Sequence, residues 1–140
     1  MGKQEIMNIL PHRDNMLLVD SAELIDGKAY GKKEIVGDEW FLSGHFPDNP
    51  VVPGVILCEI MAQSVCVCLE NKIDKGMLPF FTGLDKVKFK NPVRPGDVVE
   101  TECEITKIHE PFYFAKGKAS VNGKLCASAE FSFVVTDKNN

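Results

Sequence analysis

Within "SGHFPDNPVVPGVILCEIMAQ", residues 43–63, two side chains are suited to moving protons: His45 and Glu59. Histidine takes up and releases a proton near neutral pH more readily than any other unperturbed side chain. Glu59 interrupts a run of Val, Ile, Leu, Cys, Met and Ala. A carboxylate in such company must be paired, hydrogen-bonded or protonated. Burial that favours the neutral form makes it a usable proton donor. From the apolar run alone, a glutamate satisfied by a structural partner and a working acid are both open.

His45 bears on that choice. It lies in "GHFP", where Gly44 permits unusual backbone angles and Pro47 stiffens the exit. The first N–H groups of the following segment, Gly54 to Ile56, have no partner within a helix and form a natural oxyanion site. A base, an acid and an oxyanion site suit removal of a proton next to a carbonyl with loss of a leaving group. The other histidines, His12 and His109, sit beside Pro11 and Pro111 with no comparable apolar surround in the sequence. Nucleophilic chemistry fits less well, because no GxSxG, P-loop or GxGxxG pattern occurs. A Cys58–His45 pair is disfavoured by Glu59, whose charge opposes a thiolate next to it.

These residues need elements to hold them. Pro53 suits the first turn of a helix, and from Gly54 to about Asn71 no further glycine or proline intervenes, which predicts one long helix. On it Glu59 and Gln63 are four apart and share a face. The helix is apolar in nearly every direction, so it is expected to be buried all round, partly by a second subunit. "MLLVDSAELIDGKAYGKKEIVG" reads as two strands joined at Asp26-Gly27. "DEWFLSGHF" reads as a short helical turn. "MLPFFTGLDKVKFK", "VVETECEITKIHE", "FYFAKGKASVN" and "KLCASAEFSFVV" read as strands, the last two joined at Asn122-Gly123. Short connections make the sheet antiparallel. The expected fold is α+β: a five- to six-stranded antiparallel sheet wrapped around a central helix, in a single domain over residues 1–140.

Composition narrows the partners. A formal charge of −4 argues against nucleic acid. Glu59, Gln63 and Glu70 interrupt the longest apolar run, so no membrane insertion is expected. "MGKQEIMNIL" has no signal-peptide core, which predicts a cytoplasmic protein. The five cysteines form no CxxC pair, and Cys66 and Cys68 point about 200° apart on a helix. They are expected to be buried and reduced, with no metal site.

Three blocks, in order, resemble the FabZ-type (3R)-hydroxyacyl carrier-protein dehydratases of type II fatty acid synthesis: "ILPHRDNMLLVD", "LSGHFPDNPVVPGVILCEIMAQ" and "FFTGLDKVKFKNPVRPGD". The match covers roughly Ile6 to Asp97, more weakly the final strands. The resemblance implies a hot-dog fold, paired into homodimers and assembled as a trimer of dimers. It implies removal of water from a 3-hydroxyacyl thioester, carried on the phosphopantetheine of an acyl carrier protein, to give the trans-2-enoyl thioester without a cofactor. By position His45 takes the family's catalytic histidine role and Glu59 its acid role, the two coming from different subunits. The Gly54 N–H matches the donor to the thioester carbonyl, and Gln63 the residue that holds the acid. Phe80 matches a position often held by a tyrosine that gates the acyl tunnel; phenylalanine keeps the bulk and loses the hydroxyl. Glutamate at position 59 also favours this group over the FabA-type dehydratase/isomerases, which carry aspartate there.

Lys86, Lys88 and Lys90 alternate along one expected strand and Arg94 follows in the turn. Such a row is ordinarily a solvated strand face, but the resemblance makes it a candidate docking patch for an acidic carrier protein. A dehydratase/isomerase, a thioesterase and a non-catalytic acyl-binding module on the same scaffold are the competing readings. The last two explain less, since a binding module needs neither His45 nor Glu59 and a thioesterase lacks the GHFP-to-Glu arrangement.

Overall fold

The computed structural model describes residues 1–42, 49–70 and 77–137, with backbone only at 77, 78 and 137. Two short hairpins organise the sheet. β1 (Ser21–Ile25) turns into β2 (Lys28–Glu34) through Asp26 and Gly27, both at positive φ, the two-residue turn whose twist matches the flanking strands. β5 (Phe112–Val121) turns into β6 (Lys124–Asp137) through Asn122 and Gly123 in the same way. With β3 (Met77–Phe89) and β4 (Val98–His109) the order across the sheet is β1-β2-β4-β5-β6-β3, antiparallel throughout. This is the hot-dog arrangement, six strands wrapped on one helix.

That helix, α2 (Gly54–Ser64), follows a short N-terminal helix, α1 (Lys3–Met7), which the sequence reading omitted. Pro53 stands just outside α2 rather than in its first turn, and its carbonyl accepts the first helical hydrogen bond from the Ile56 N–H at 2.9 Å. The expected long helix continues to Leu69, but its last part, Val65–Leu69, tightens into a 3-10 helix. Asn71 falls outside the described residues.

The helix can nest because the inner face of the sheet is lined by small side chains: Ala29, Thr101, Cys103, Ala115, Ala119, Ala127 and Ala129 are all buried. A buried polar chain fixes its position. The Gly31 N–H donates to Thr101 Oγ1 (3.1 Å), Thr101 Oγ1 donates to Ser64 Oγ (2.8 Å), and Ser64 Oγ donates to the Ile60 carbonyl (2.7 Å). Residue 31 has to be glycine, since a Cβ there would lie 2.3 Å from Ser64 Oγ. Buried hydroxyls of this kind are tolerated only when satisfied, and these are.

Within one chain the sheet and the N-terminal segment bury Leu57, Cys58, Ile60, Met61, Gln63 and Ser64. The face left open is a narrow stripe: Val55 is 67% exposed, and Ile56, Glu59 and Ala62 are half-buried. The acid therefore lies on the one side of the helix that the chain does not close.

Two strand expectations need correction. Met16–Val19 is not part of β1: the backbone N–H of Leu18 is taken by the side chain of Gln63 (2.8 Å) instead of a neighbouring strand. The Lys86–Lys88–Lys90 alternation is broken, because a bulge lies between Asp85 and Lys88, Lys86 has φ +50, and the strand ends at Phe89. Cys58, Cys66, Cys103 and Cys126 are buried, as expected, whereas Cys68 is half-buried.

Candidate active site

Glu59 opens into a cavity of about 410 Å³ lined by Leu10, Pro11, His12, Ala62, Gln63, Cys66, Leu69, Pro79, Phe80, Phe81 and Phe133. The lining is almost wholly apolar, with the three polar side chains gathered at one wall. A mostly apolar concavity with a few convergent polar groups is the ordinary form of a small-molecule site.

Gln63 organises that wall. It is fully buried, and its Oε1 accepts the Leu18 N–H at 2.8 Å. Because that partner can only donate, the amide cannot turn over. Its Nε2 therefore points the other way, donating to the Met16 carbonyl (2.9 Å) and to Glu59 Oε1 (3.1 Å). The helical spacing of four residues brings Gln63 to Glu59, and the Met16–Leu18 backbone fixes Gln63.

His12 lies on the other side of the carboxyl, its Nε2 3.4 Å from Glu59 Oε1. The loop that carries it is clasped by Arg13, whose guanidinium donates to the carbonyls of Met7 (3.0 Å), Leu10 (2.8 Å) and His12 itself (2.7 Å). His12 corrects the sequence reading, in which it lacked an apolar surround. Leu69, Phe80, Phe81 and Phe133 supply that surround from distant parts of the chain, and no local pattern announces it. Its presence in the "PHR" block was the available signal.

Burial disfavours the thiolate form of the cysteines nearby. Burial pushes the Cys66 thiol up to about 12. Burial also raises Cys58, and the neighbouring Glu59 charge pushes it the same way. No group of three or more His, Cys, Asp or Glu side chains among the described residues could hold a metal ion.

The remaining predicted residues fall in three places. Phe80 lies at the cavity, 52% exposed, beside Phe81, whose ring meets Phe131 edge-on. Gly54 begins α2 and lies under the ring of Phe89; a Cβ there would come within 2.6 Å of that ring. It faces a separate hollow with Val52, Pro53, Val55 and Leu57, not the Glu59 cavity. His45 lies outside the described residues. Of the cations, Lys86 pairs with Glu130 (3.4 Å), and Arg94 donates to the Asn49 side chain and through its N–H to Asp97 (2.8 Å). Lys88 and Lys90 have no ion partner among the described residues.

A helix wrapped in an antiparallel sheet defines a hot-dog protein, here with a carboxyl in the lining of its apolar cavity. The sequence profile described as a FabA-like domain matches residues 10–130. The chain is 45% identical over 137 residues to the 3-hydroxyacyl-(acyl-carrier-protein) dehydratase FabZ of Clostridium perfringens, covering 96% of this chain and 99% of that protein. It is 43% identical over 141 residues to the FabZ of Thermoanaerobacter pseudethanolicus, covering 99% of each. Among solved structures, a chain of the dehydratase heterocomplex ApeI:P from Xenorhabdus doucetiae superposes with a TM-score of 0.82 at 21% identity, covering 96% of this chain and 92% of that one. The fluoroacetyl-CoA-specific thioesterase FlK superposes with a TM-score of 0.68 at 13% identity, covering 86% and 92%. The chain belongs to the FabA-like family, and its curated relatives cited here are FabZ enzymes.

Proposed function

We propose that the protein dehydrates 3-hydroxyacyl thioesters of acyl carrier protein to the trans-2-enoyl thioesters in fatty acid biosynthesis. The observation that carries this reading is Glu59: a carboxyl lining an apolar cavity, held on one oxygen by the Gln63 amide. The relatives' activity supports it over nearly the full chain. In the reaction the Gly54 N–H binds the thioester carbonyl and acidifies the α-carbon. His45 takes the α-proton; the electron pair forms the C2–C3 double bond; the C3–O bond breaks as Glu59 gives its proton to the departing hydroxyl. One water leaves, and a proton returning from His45 to Glu59 resets the site. Gln63 holds the acid, Phe80 stands at the tunnel mouth, and no cofactor takes part.

Two features support a site shared between subunits. Gly54 and Glu59 open into different hollows of one chain, so a substrate touching both needs a second copy. The second copy has an obvious seat: β3 is an open sheet edge bearing exposed Phe81 and Leu84, an arrangement that invites strand pairing. A homodimer, with a trimer of dimers as the higher assembly, fits this reading. Lys88, Lys90 and Arg94 are the better docking candidates for the acidic carrier, since Lys86 is engaged by Glu130. The four buried cysteines fit a reducing cytoplasm.

The test is product analysis. The protein is incubated with 3-hydroxyacyl carrier substrates of several chain lengths and the products are identified. Trans-2-enoyl thioester is expected. Cis-3 products would instead indicate isomerisation, a free acid would indicate thioester hydrolysis, and the absence of turnover would indicate a binding module.

A further inference from the structure

We propose that His12 is a positioning residue for the Glu59 carboxyl, fixing Oε1 as the accepting oxygen and leaving Oε2 to carry and deliver the proton. The proposal rests on the assignment of Glu59 as the acid. Both neighbours of the carboxyl meet the same oxygen: Gln63 Nε2 at 3.1 Å and His12 Nε2 at 3.4 Å. Gln63 can only donate there, because its own carbonyl oxygen is held by the Leu18 N–H. A carboxylic acid has one accepting oxygen and one hydroxyl. With donors gathered on Oε1, the hydroxyl belongs on Oε2, which has no partner among the described residues.

The imidazole is set up for the same role. A neutral ring has one N–H and one bare nitrogen. Nδ1 of His12 is buried with no hydrogen-bond partner, whereas Nε2 faces Glu59 Oε1. The tautomer that gives the proton a partner carries it on Nε2, an assignment made from these contacts. The ring is held there by Arg13, which grips three carbonyls of the loop, including that of His12. At 3.4 Å the pair is a close contact and not a formed hydrogen bond, and catalytic contacts commonly tighten once substrate is bound. The side chain itself is only 23% exposed, so it is placed by packing rather than by solvent.

The experiment measures kcat and KM for carrier-bound 3-hydroxyacyl dehydration by the intact protein and by His12→Phe, His12→Gln, Glu59→Gln and the His12→Phe/Glu59→Gln double variant. Phenylalanine fills the apolar space without a donor; the Gln amide restores a donor. The expected result is a kcat lower by about 10- to 100-fold in His12→Phe with KM little changed, recovery of most of that loss in His12→Gln, and no further loss on adding His12→Phe to Glu59→Gln. Unchanged kcat in His12→Phe, equal loss in the Phe and Gln variants, or an effect confined to KM would each overturn the role of His12. Those results leave the acid assignment standing if Glu59→Gln is inactive. Wild-type turnover in Glu59→Gln would overturn the acid assignment and, with it, the positioning role. Thermal midpoints of all variants, compared with the intact protein, separate loss of fold from loss of chemistry.

Discussion

The glutamates on the outer face of the sheet and the glutamate on the helix live under opposite rules. Outside, three acids pair with lysines: Glu102 with Lys118 (3.1 Å), Glu104 with Lys116 (3.2 Å), Glu130 with Lys86 (3.4 Å). The strand register builds this ladder, setting Glu102 opposite Lys118 and Lys116 between Glu104 and Glu130. The hydrogen bond from Lys118 holds the Glu102 carboxyl below the usual carboxylate range. Inside, Glu59 has an amide and an imidazole, and no lysine or arginine pairs with it among the described residues. A cation fixes a carboxylate as a charge, whereas the Gln63 amide orients the Glu59 carboxyl without bringing a charge of its own. The paired outer acids suit solubility, and the proposed role of the inner one is proton transfer.

The comparison can be broken first at the level of assembly. The outer pairs are complete in one chain, whereas the inner acid is proposed to work with the His45 of a second. Mixing inactive His45→Ala and Glu59→Gln subunits under conditions of subunit exchange is expected to restore turnover, because one of the two sites in each hybrid dimer is intact. No restoration from verified hybrids would mean that both residues act within one chain.

Stability sharpens the contrast next. Gln63→Leu strands the buried Leu18 N–H, removes the partner of the Met16 carbonyl and should destabilise the protein by about 1–3 kcal/mol, read from denaturant unfolding. A loss below about 0.5 kcal/mol would show that Gln63 does not hold the wall together.

On the outer face Lys118→Ala should cost at most about 1 kcal/mol and leave turnover unchanged. The sign with pH follows from Glu102. Its carboxyl is depressed in the folded state, so the stability it contributes is present above its unfolded value near 4.3 and is lost as pH falls through the folded one. The difference between wild type and Lys118→Ala should therefore vanish in acid. A difference that grows there would contradict the pairing.

What could be read from the sequence divides along the same lines as distance in the chain. Glu59 and Gln63 were legible because a helix makes residues four apart neighbours, and the hairpins because Asp26-Gly27 and Asn122-Gly123 need no information from elsewhere. His12 was not, since its apolar surround is assembled from β3, β6 and the end of the helix. Met16–Val19 reads as the start of a hairpin strand from its apolar run, yet its backbone serves a helix side chain. The lysine row failed at a single bulge, which depends on how β3 meets β6 and not on β3 itself.

The most direct test of the central claim is the turnover of Glu59→Gln on a 3-hydroxyacyl carrier substrate, in a variant shown to keep the fold and assembly of the intact protein. Glutamine keeps the shape of the side chain and removes the transferable proton. Dehydration slower by about 10²- to 10⁴-fold is the predicted result. Turnover at the wild-type rate would contradict it, and would reduce Glu59 to a satisfied polar group on an apolar helix.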